Sequence, residues 1–110
     1  QVLSNLLDNA IKFTNFGTIT VSVNLDVNKI VKISVSDRGI GIDPEIRPKL
    51  FQKFTTLSDR GTGLGLFISK NIVEAHGGSI SGKNNKPGTG ATFSFTLPTL
   101  TKMKDTSRKK

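Results

Sequence analysis

The chain has 110 residues, 35% hydrophobic and 22% charged, which fits one globular domain and no more. It has no cysteine and a single histidine, His76, so disulfides, thiolate metal sites and histidine-rich metal sites are excluded. About half of its net charge of +8 lies in a tail where Lys102, Lys104, Arg108, Lys109 and Lys110 are offset only by Asp105. A tail of that kind is a solvated end, or a contact for nucleic acid or an acidic partner. The lack of Trp, Tyr and interleaved aromatics argues against nucleic acid. No apolar run approaches the roughly 20 residues of a membrane span, and the first residues show no signal peptide. With no initiator Met, Gln1 reads as an internal cut.

In chain order, residues 1–13 read as a helix with Leu3, Leu6, Leu7, Ala10 and Ile11 in one apolar stripe. Ile19, Val21 and Val23 alternate with Thr18, Thr20 and Ser22, the pattern of a half-buried strand. Val31, Ile33 and Val35 repeat it after a polar turn, and the two strands should pair as a hairpin. A glycine-interrupted loop, residues 37–43, leads to Asp43-Pro44-Glu45, a helix-start signal. Pro48 allows only a short helical turn there and a second piece through Phe54. Residues 64–76 form a second long helix, stopped by Gly77 and Gly78. Ile80 lies in a third strand. Ala91, Phe93, Phe95 and Leu97 mark a fourth, ended by Pro98. This order predicts an α+β domain over residues 1–98: a mostly antiparallel sheet with helices on one face and the Ser- and Thr-rich face open.

Three polar groupings stand out. Asn5, Asn9 and Lys12 share one side of the first helix, roughly a 60° arc. They form a solvated face, or amide oxygens for a hard cation with a charge for phosphate. Asp37 continues the odd register of Val31, Ile33 and Val35, which aims it at the core face. It either starts a turn or accepts hydrogen bonds from a ligand's amino group, with Gly39 and Gly41 letting the backbone approach a flat ligand. Gly61, Gly63 and Gly65 open onto a helix, whose free N–H groups favour an anion. They make no P-loop, since no Gly-Lys-Ser/Thr follows. They make no dinucleotide fingerprint, since no strand precedes them. By themselves they equally suit a flexible turn.

Together these pieces resemble the catalytic ATP-binding domain of two-component sensor histidine kinases, within the wider group that includes type II topoisomerase, chaperone and mismatch-repair ATPases. Residues 1–13 (QVLSNLLDNAIKF) are similar to the N box, and 37–42 (DRGIGI) to the first glycine box. Residues 51–54 (FQKF) resemble the F box, 61–66 (GTGLGL) the second glycine box and 88–93 (GTGATF) the last. The resemblance covers nearly all of the chain before residue 99. It implies a two-layer α/β sandwich of the Bergerat type, with nucleotide between helices and a lid.

The resemblance also implies roles. Asn9 is the magnesium ligand, Lys12 reaches the phosphates and Asp37 accepts the adenine amino group, with Gly39 and Gly41 beside the base. Asn5 lies near the γ-phosphate, where related ATPases carry a water-activating Glu that an amide cannot replace. Phe51 and Phe54 anchor the lid. Gly61, Gly63 and Gly65 hinge it and offer backbone N–H groups, and Thr62, Leu64 and Leu66 complete that segment. Ala91 stands where some relatives have an adenine-proximal Thr, and Thr92 beside it is the candidate substitute, a point the resemblance leaves open. No phosphoacceptor histidine is identified, since His76 reads as a helix-terminal residue. The implied activity is transfer of the γ-phosphoryl group of Mg-ATP to a histidine of an upstream dimerisation domain, with a response regulator downstream. The longer protein is expected to be a homodimer with this domain in the cytoplasm, membrane-anchored or not. The alternative is an ATPase or nucleotide-sensing module of the same fold. Residues 99–110 are expected to form a disordered tail.

Overall fold

A computed structural model of the chain describes residues 1–14, 17–55, 63–86 and 90–99. Helix α1 (Val2–Phe13) is followed by strands β1 (Thr20–Leu25) and β2 (Ile30–Ser36), and then by a single 3-10 turn at Arg47–Lys49. Helix α2 (Gly65–Ala75) and strands β3 (Ile80–Asn84) and β4 (Ala91–Pro98) complete the domain. The four strands make one sheet in the order β1-β2-β4-β3, and each neighbouring pair is antiparallel. The expected β1–β2 hairpin forms; Asp26 accepts from the backbone N–H groups of Asn28 and Ile30 at its turn.

Register sorts the side chains. Val35 pairs with Phe93 and Ile33 with Phe95, placing the odd-numbered residues of β2 and β4 on one face. That face meets Val2, Leu6 and Ala10 of α1 and Leu66 and Val73 of α2, and these residues form the core with Ile42 and Leu50. Full burial of each large apolar side chain contributes roughly 1.5–3 kcal/mol. The opposite face carries Ser34 and Ser94, whose hydroxyls share a 2.8 Å hydrogen bond.

The buried stripe of α1 differs from the one the sequence suggests. It runs through Val2, Leu6 and Ala10, whereas Leu3 is 37% and Ile11 63% exposed. The helix is therefore rotated so that Asn5 and Asn9 flank the core, half-buried, instead of facing away from it. Strand β1 also departs from the half-buried reading. Val21, Val23 and Leu25 share the core face but are 46%, 66% and 61% exposed. Alternation sets which face a residue takes, while burial needs a covering layer, and the helices pack over β2, β4 and β3. After Asp43, whose carboxylate accepts from Glu45 N–H at 2.9 Å, only the 3-10 turn forms before a run of turns to Phe54. Helix α2 ends as expected: His76 Nδ1 donates to the Ile72 carbonyl at 2.7 Å, and Gly77 takes φ +83. Among the described residues no helix is long and apolar enough to cross a membrane.

Candidate functional site

Asp37 stands at the end of β2, turned to the core face by register, and is 5% exposed. Its Oδ1 accepts from Gly39 N–H at 2.9 Å and Ala91 N–H at 3.1 Å. Its own N–H donates to the Ala91 carbonyl at 2.9 Å. Among the described residues nothing donates to Oδ2. A buried carboxylate with one oxygen satisfied and one open is costly unless a further donor arrives. That second oxygen is what a ligand amino group would find.

The glycine loop after Asp37 is constrained by the chain itself. A Cβ on Gly39 would lie 2.3 Å from the Phe13 carbonyl oxygen, so the loop packs directly on the end of α1. The sequence reading gave Gly39 and Gly41 room for a flat ligand; here the α1 backbone and Asn84 take the space of their missing side chains. Asn84 clamps the loop: its Oδ1 accepts from Ile42 N–H at 2.6 Å and its Nδ2 donates to Ile42 O at 3.0 Å. Thr92 is turned away from Asp37. Its hydroxyl donates to Ser36 Oγ at 3.0 Å on the open face of the sheet, with Asn85 in the same network. Register allows no other outcome, since Thr92 pairs with Ser36 and neighbours the odd positions on either side. Near it an open cavity of about 360 Å³ is lined by Thr18, Thr20, Ser36, Asp37, Arg38, Asn85 and Lys86. Its wall carries hydroxyl, amide and charged groups without aromatic or aliphatic side chains, so it offers no slot for a base.

At the other end of α1, Asn5 reaches α2. Its Nδ2 donates to Ser69 Oγ at 3.0 Å and to the Gly65 carbonyl at 3.3 Å. Asn9 lies one turn further along α1, half-buried, and Lys12 is exposed in the last turn. Asn5 and Phe13, eight residues apart, are separated by about 12 Å along the helix axis. The polar flank of α1 thus runs from the start of α2 to the loop beside Asp37.

The third part brackets residues 56–62. Phe54 N–H donates to the Gly63 carbonyl at 2.7 Å, and a Cβ on Gly63 would lie 2.3 Å from Phe54 Cα. Both residues have positive φ, +64 for Phe54 and +75 for Gly63. Phe51 packs on the core, whereas the Phe54 ring is 70% exposed, so of the two rings only Phe51 anchors by packing. Lys53 places its ammonium 5.4 Å from the centre of the Phe67 ring, a cation–π contact to α2. Gly65 has open space where a Cβ would sit, and Leu66 points into the core. Gly61 and Thr62 lie outside the described residues, as do Gly88, Thr89 and the tail from 100.

Ser69, Asn84 and the Ala91 N–H had no place in the sequence reading. Ser69 was visible as a polar residue on the buried stripe of α2 with Leu66 and Val73. Asn84 acts through its side-chain amide on the loop backbone at Ile42 and Ala91 through its backbone N–H, meetings of distant residues that leave no trace in spacing.

The site thus combines a buried acceptor at the sheet end with a helix whose flank carries two amides and an ammonium. Over residues 1–101 the chain matches the family described as histidine kinase-, DNA gyrase B- and HSP90-like ATPase, and it belongs to that family. Membership implies ATP binding. Among its relatives, the sensor histidine kinase AruS of Pseudomonas aeruginosa is 45% identical over 107 residues, covering 88% of this chain and 11% of AruS. The sensor protein FixL of Bradyrhizobium diazoefficiens is 42% identical over 101 residues, covering 89% of this chain and 20% of FixL. The chain therefore spans a tenth to a fifth of these two relatives. Among solved structures, the catalytic domain of histidine kinase ThkA in a nucleotide-free form superposes with a TM-score of 0.77 at 40% identity, covering 89% of this chain and 64% of that one. Full-length ShkA in complex with AMPPNP superposes with a TM-score of 0.78 at 34% identity, covering 88% of this chain and 20% of that one.

Proposed function

We propose that this chain binds ATP together with magnesium and positions the γ-phosphoryl group for transfer to a histidine on a separate helical hairpin, within a two-component signalling protein. The observation that carries the reading is Asp37, a buried carboxylate with Oδ1 held by two backbone N–H groups and Oδ2 open. That oxygen would accept from the amino group of adenine. Lys12, at the exposed end of the flank, would meet phosphate.

The residues also suit the cation. Among the described residues no three His, Cys, Asp or Glu side chains gather. Magnesium keeps several waters and is held by one or two protein oxygens plus phosphates. Asn9 would supply such an oxygen. When bound, the ion supplies charge neutralisation at the phosphates. Transfer forms an N–P bond to the acceptor imidazole and breaks the bond to the β-phosphate oxygen, leaving ADP. The contribution of the chain is positioning and electrostatics.

Asp37→Asn tests the reading. To keep both backbone bonds the new side chain must turn its NH₂ toward the base amino group, opposing donor to donor. Affinity for ATP should fall roughly 10- to 100-fold, the cost of one buried unsatisfied donor. Unchanged titrations would overturn the reading. Transfer itself is tested by adding a histidine-bearing hairpin domain and γ-labelled ATP, with phosphohistidine expected only when both are present. Steady hydrolysis by the chain alone would favour an ATPase instead.

A further inference from the structure

Ser69 is fully buried in the middle of α2, with 0% of its surface exposed, and none of the roles assigned above uses it. Its hydroxyl faces Asn5, whose Nδ2 donates to it at 3.0 Å and to the Gly65 carbonyl at 3.3 Å. Gly65 and Ser69 are one helical turn apart, so a single amide nitrogen grips the first turn of α2 at two points. The orientation of that amide follows from chemistry. A carbonyl oxygen can only accept, so the atom of Asn5 facing Gly65 must be the nitrogen. With both amide hydrogens directed at α2, the carboxamide oxygen is the limb left over, and among the described residues nothing donates to it.

We propose that Ser69 is a positioning residue: with the Gly65 carbonyl it locks the Asn5 carboxamide, so that an acceptor and never a donor is offered to whatever lies beside α1. The inference rests on the nucleotide reading of that flank. An acceptor repels phosphate oxygens and attracts a cation or its waters. A free amide can turn over and offer phosphate its NH₂ instead. The lock therefore favours a nucleotide that arrives with its cation over one without. Because Gly65 begins α2 two residues after Gly63, the same two bonds tie α1 close to the Phe54–Gly63 contact.

Ser69→Ala removes one anchor and leaves the longer bond alone. The experiment is titration of the 110-residue chain with ATP, with and without magnesium, beside the side-chain amide signals of Asn5 in a nitrogen–proton correlation spectrum. In wild type, magnesium should tighten binding, and the Asn5 NH₂ protons should exchange slowly with solvent. In Ser69→Ala the magnesium-free affinity should stay within about twofold. The gain from magnesium should shrink roughly five-fold, the size of one ordinary hydrogen bond, and the Asn5 NH₂ exchange should speed up. Ser69→Thr keeps the hydroxyl and should restore both. A folded Ser69→Ala chain with an unchanged magnesium gain, or a folded Ser69→Thr chain that fails to restore it, overturns the proposal. Protection of the Asn5 amide is read without nucleotide, so slow exchange that survives Ser69→Ala overturns it as well. Absence of ATP binding in wild type would instead remove the nucleotide reading on which it rests.

Discussion

Gly63→Ala puts the Phe54–Gly63 closure to a quantitative test. The new Cβ would lie 2.3 Å from Phe54 Cα and 2.4 Å from its carbonyl carbon, distances that no real Cβ keeps. The backbone at φ +75 adds a cost of about 1–2 kcal/mol for an L side chain. Moving Phe54 aside gives up its 2.7 Å hydrogen bond to the Gly63 carbonyl, worth about 1 kcal/mol. The closed form is thus disfavoured by about 2–3 kcal/mol. The strain is local, because the closure joins only the two ends of one segment and the core lies elsewhere. Opening it relieves the strain, so the melting temperature should fall by no more than a few degrees. Nucleotide that needs the closed form must then pay the difference on binding. At 1.4 kcal/mol per factor of ten, that raises Kd roughly 30- to 150-fold. Gly65→Ala is the control: the same chemical change two residues on, with no atom within 4 Å of the new Cβ, should leave melting unchanged. Wild-type affinity in Gly63→Ala would refute the closure as a binding element. A drop of 10 °C or more, the expectation if the whole cost fell on the fold, would refute its local character.

Gly39→Ala should behave in the opposite way: its Cβ would lie 2.3 Å from the Phe13 carbonyl oxygen, between α1 and the sheet, where nothing can open locally. Overpacking there costs about 1–3 kcal/mol, so melting should fall by roughly 5–20 °C, measured by circular dichroism. Asn9→Ala should cut the magnesium-dependent part of ATP affinity and leave magnesium-free binding in place, read by calorimetry with and without a chelator. Deleting residues 101–110 should abolish any salt-sensitive binding to DNA in a filter assay, and binding that survives would place it on the body of the domain.

The sequence carried the two long helices through their apolar spacing and stop signals, and the hairpin and the face of each strand through a two-residue alternation in β1, β2 and β4. It placed Asp37 on the core face for the same reason. What it misjudged concerns who covers whom. Val21 and Val23 alternate as cleanly as Ile33 and Val35, yet only the latter pack with the helices in the core, and nothing within six residues of strand records that. The turn of α1 about its axis was likewise invisible: Val2 and Ile11 are both large and apolar, and the sheet and α2 decide that the first is buried and the second exposed. The site divided along the same line. Asn5, Asp37 and Gly63 drew notice by residue type and spacing, and the family resemblance gave them their expected roles. The atoms that hold them, the Ser69 hydroxyl, the Ala91 N–H and the Phe54 backbone, come from 64, 54 and 9 positions away. Contacts of that span are created by the fold and cannot be read from a local pattern. Thr92 shows the limit most plainly, since one step of register separates it from Ala91 and sends its hydroxyl to the opposite face.

Under the proposed function, the arrangement at Asn5 also bears on why this chain would transfer phosphate to a protein and spare water. Activating water requires a base within hydrogen-bond reach of it. An amide cannot serve, and here its nitrogen is further committed to Gly65 and Ser69. No carboxylate stands in its place on that flank: Asp8, the one acid in α1, is exposed. Substituting Asn5→Glu would supply a base in principle. The acid would have to forgo the bond to Gly65, because a carboxylate against that carbonyl sets acceptor against acceptor, and it could keep Ser69 only by taking the hydroxyl as a donor. The lock that orients the amide is therefore also what keeps a base from being accommodated cheaply. An acceptor histidine suffers no such handicap, since a neutral imidazole nitrogen brings its own lone pair and needs only to be placed in line with the leaving oxygen. Under the proposed function, discrimination against water then comes from withholding a base at Asn5, and the rate of transfer from how well the hairpin is docked.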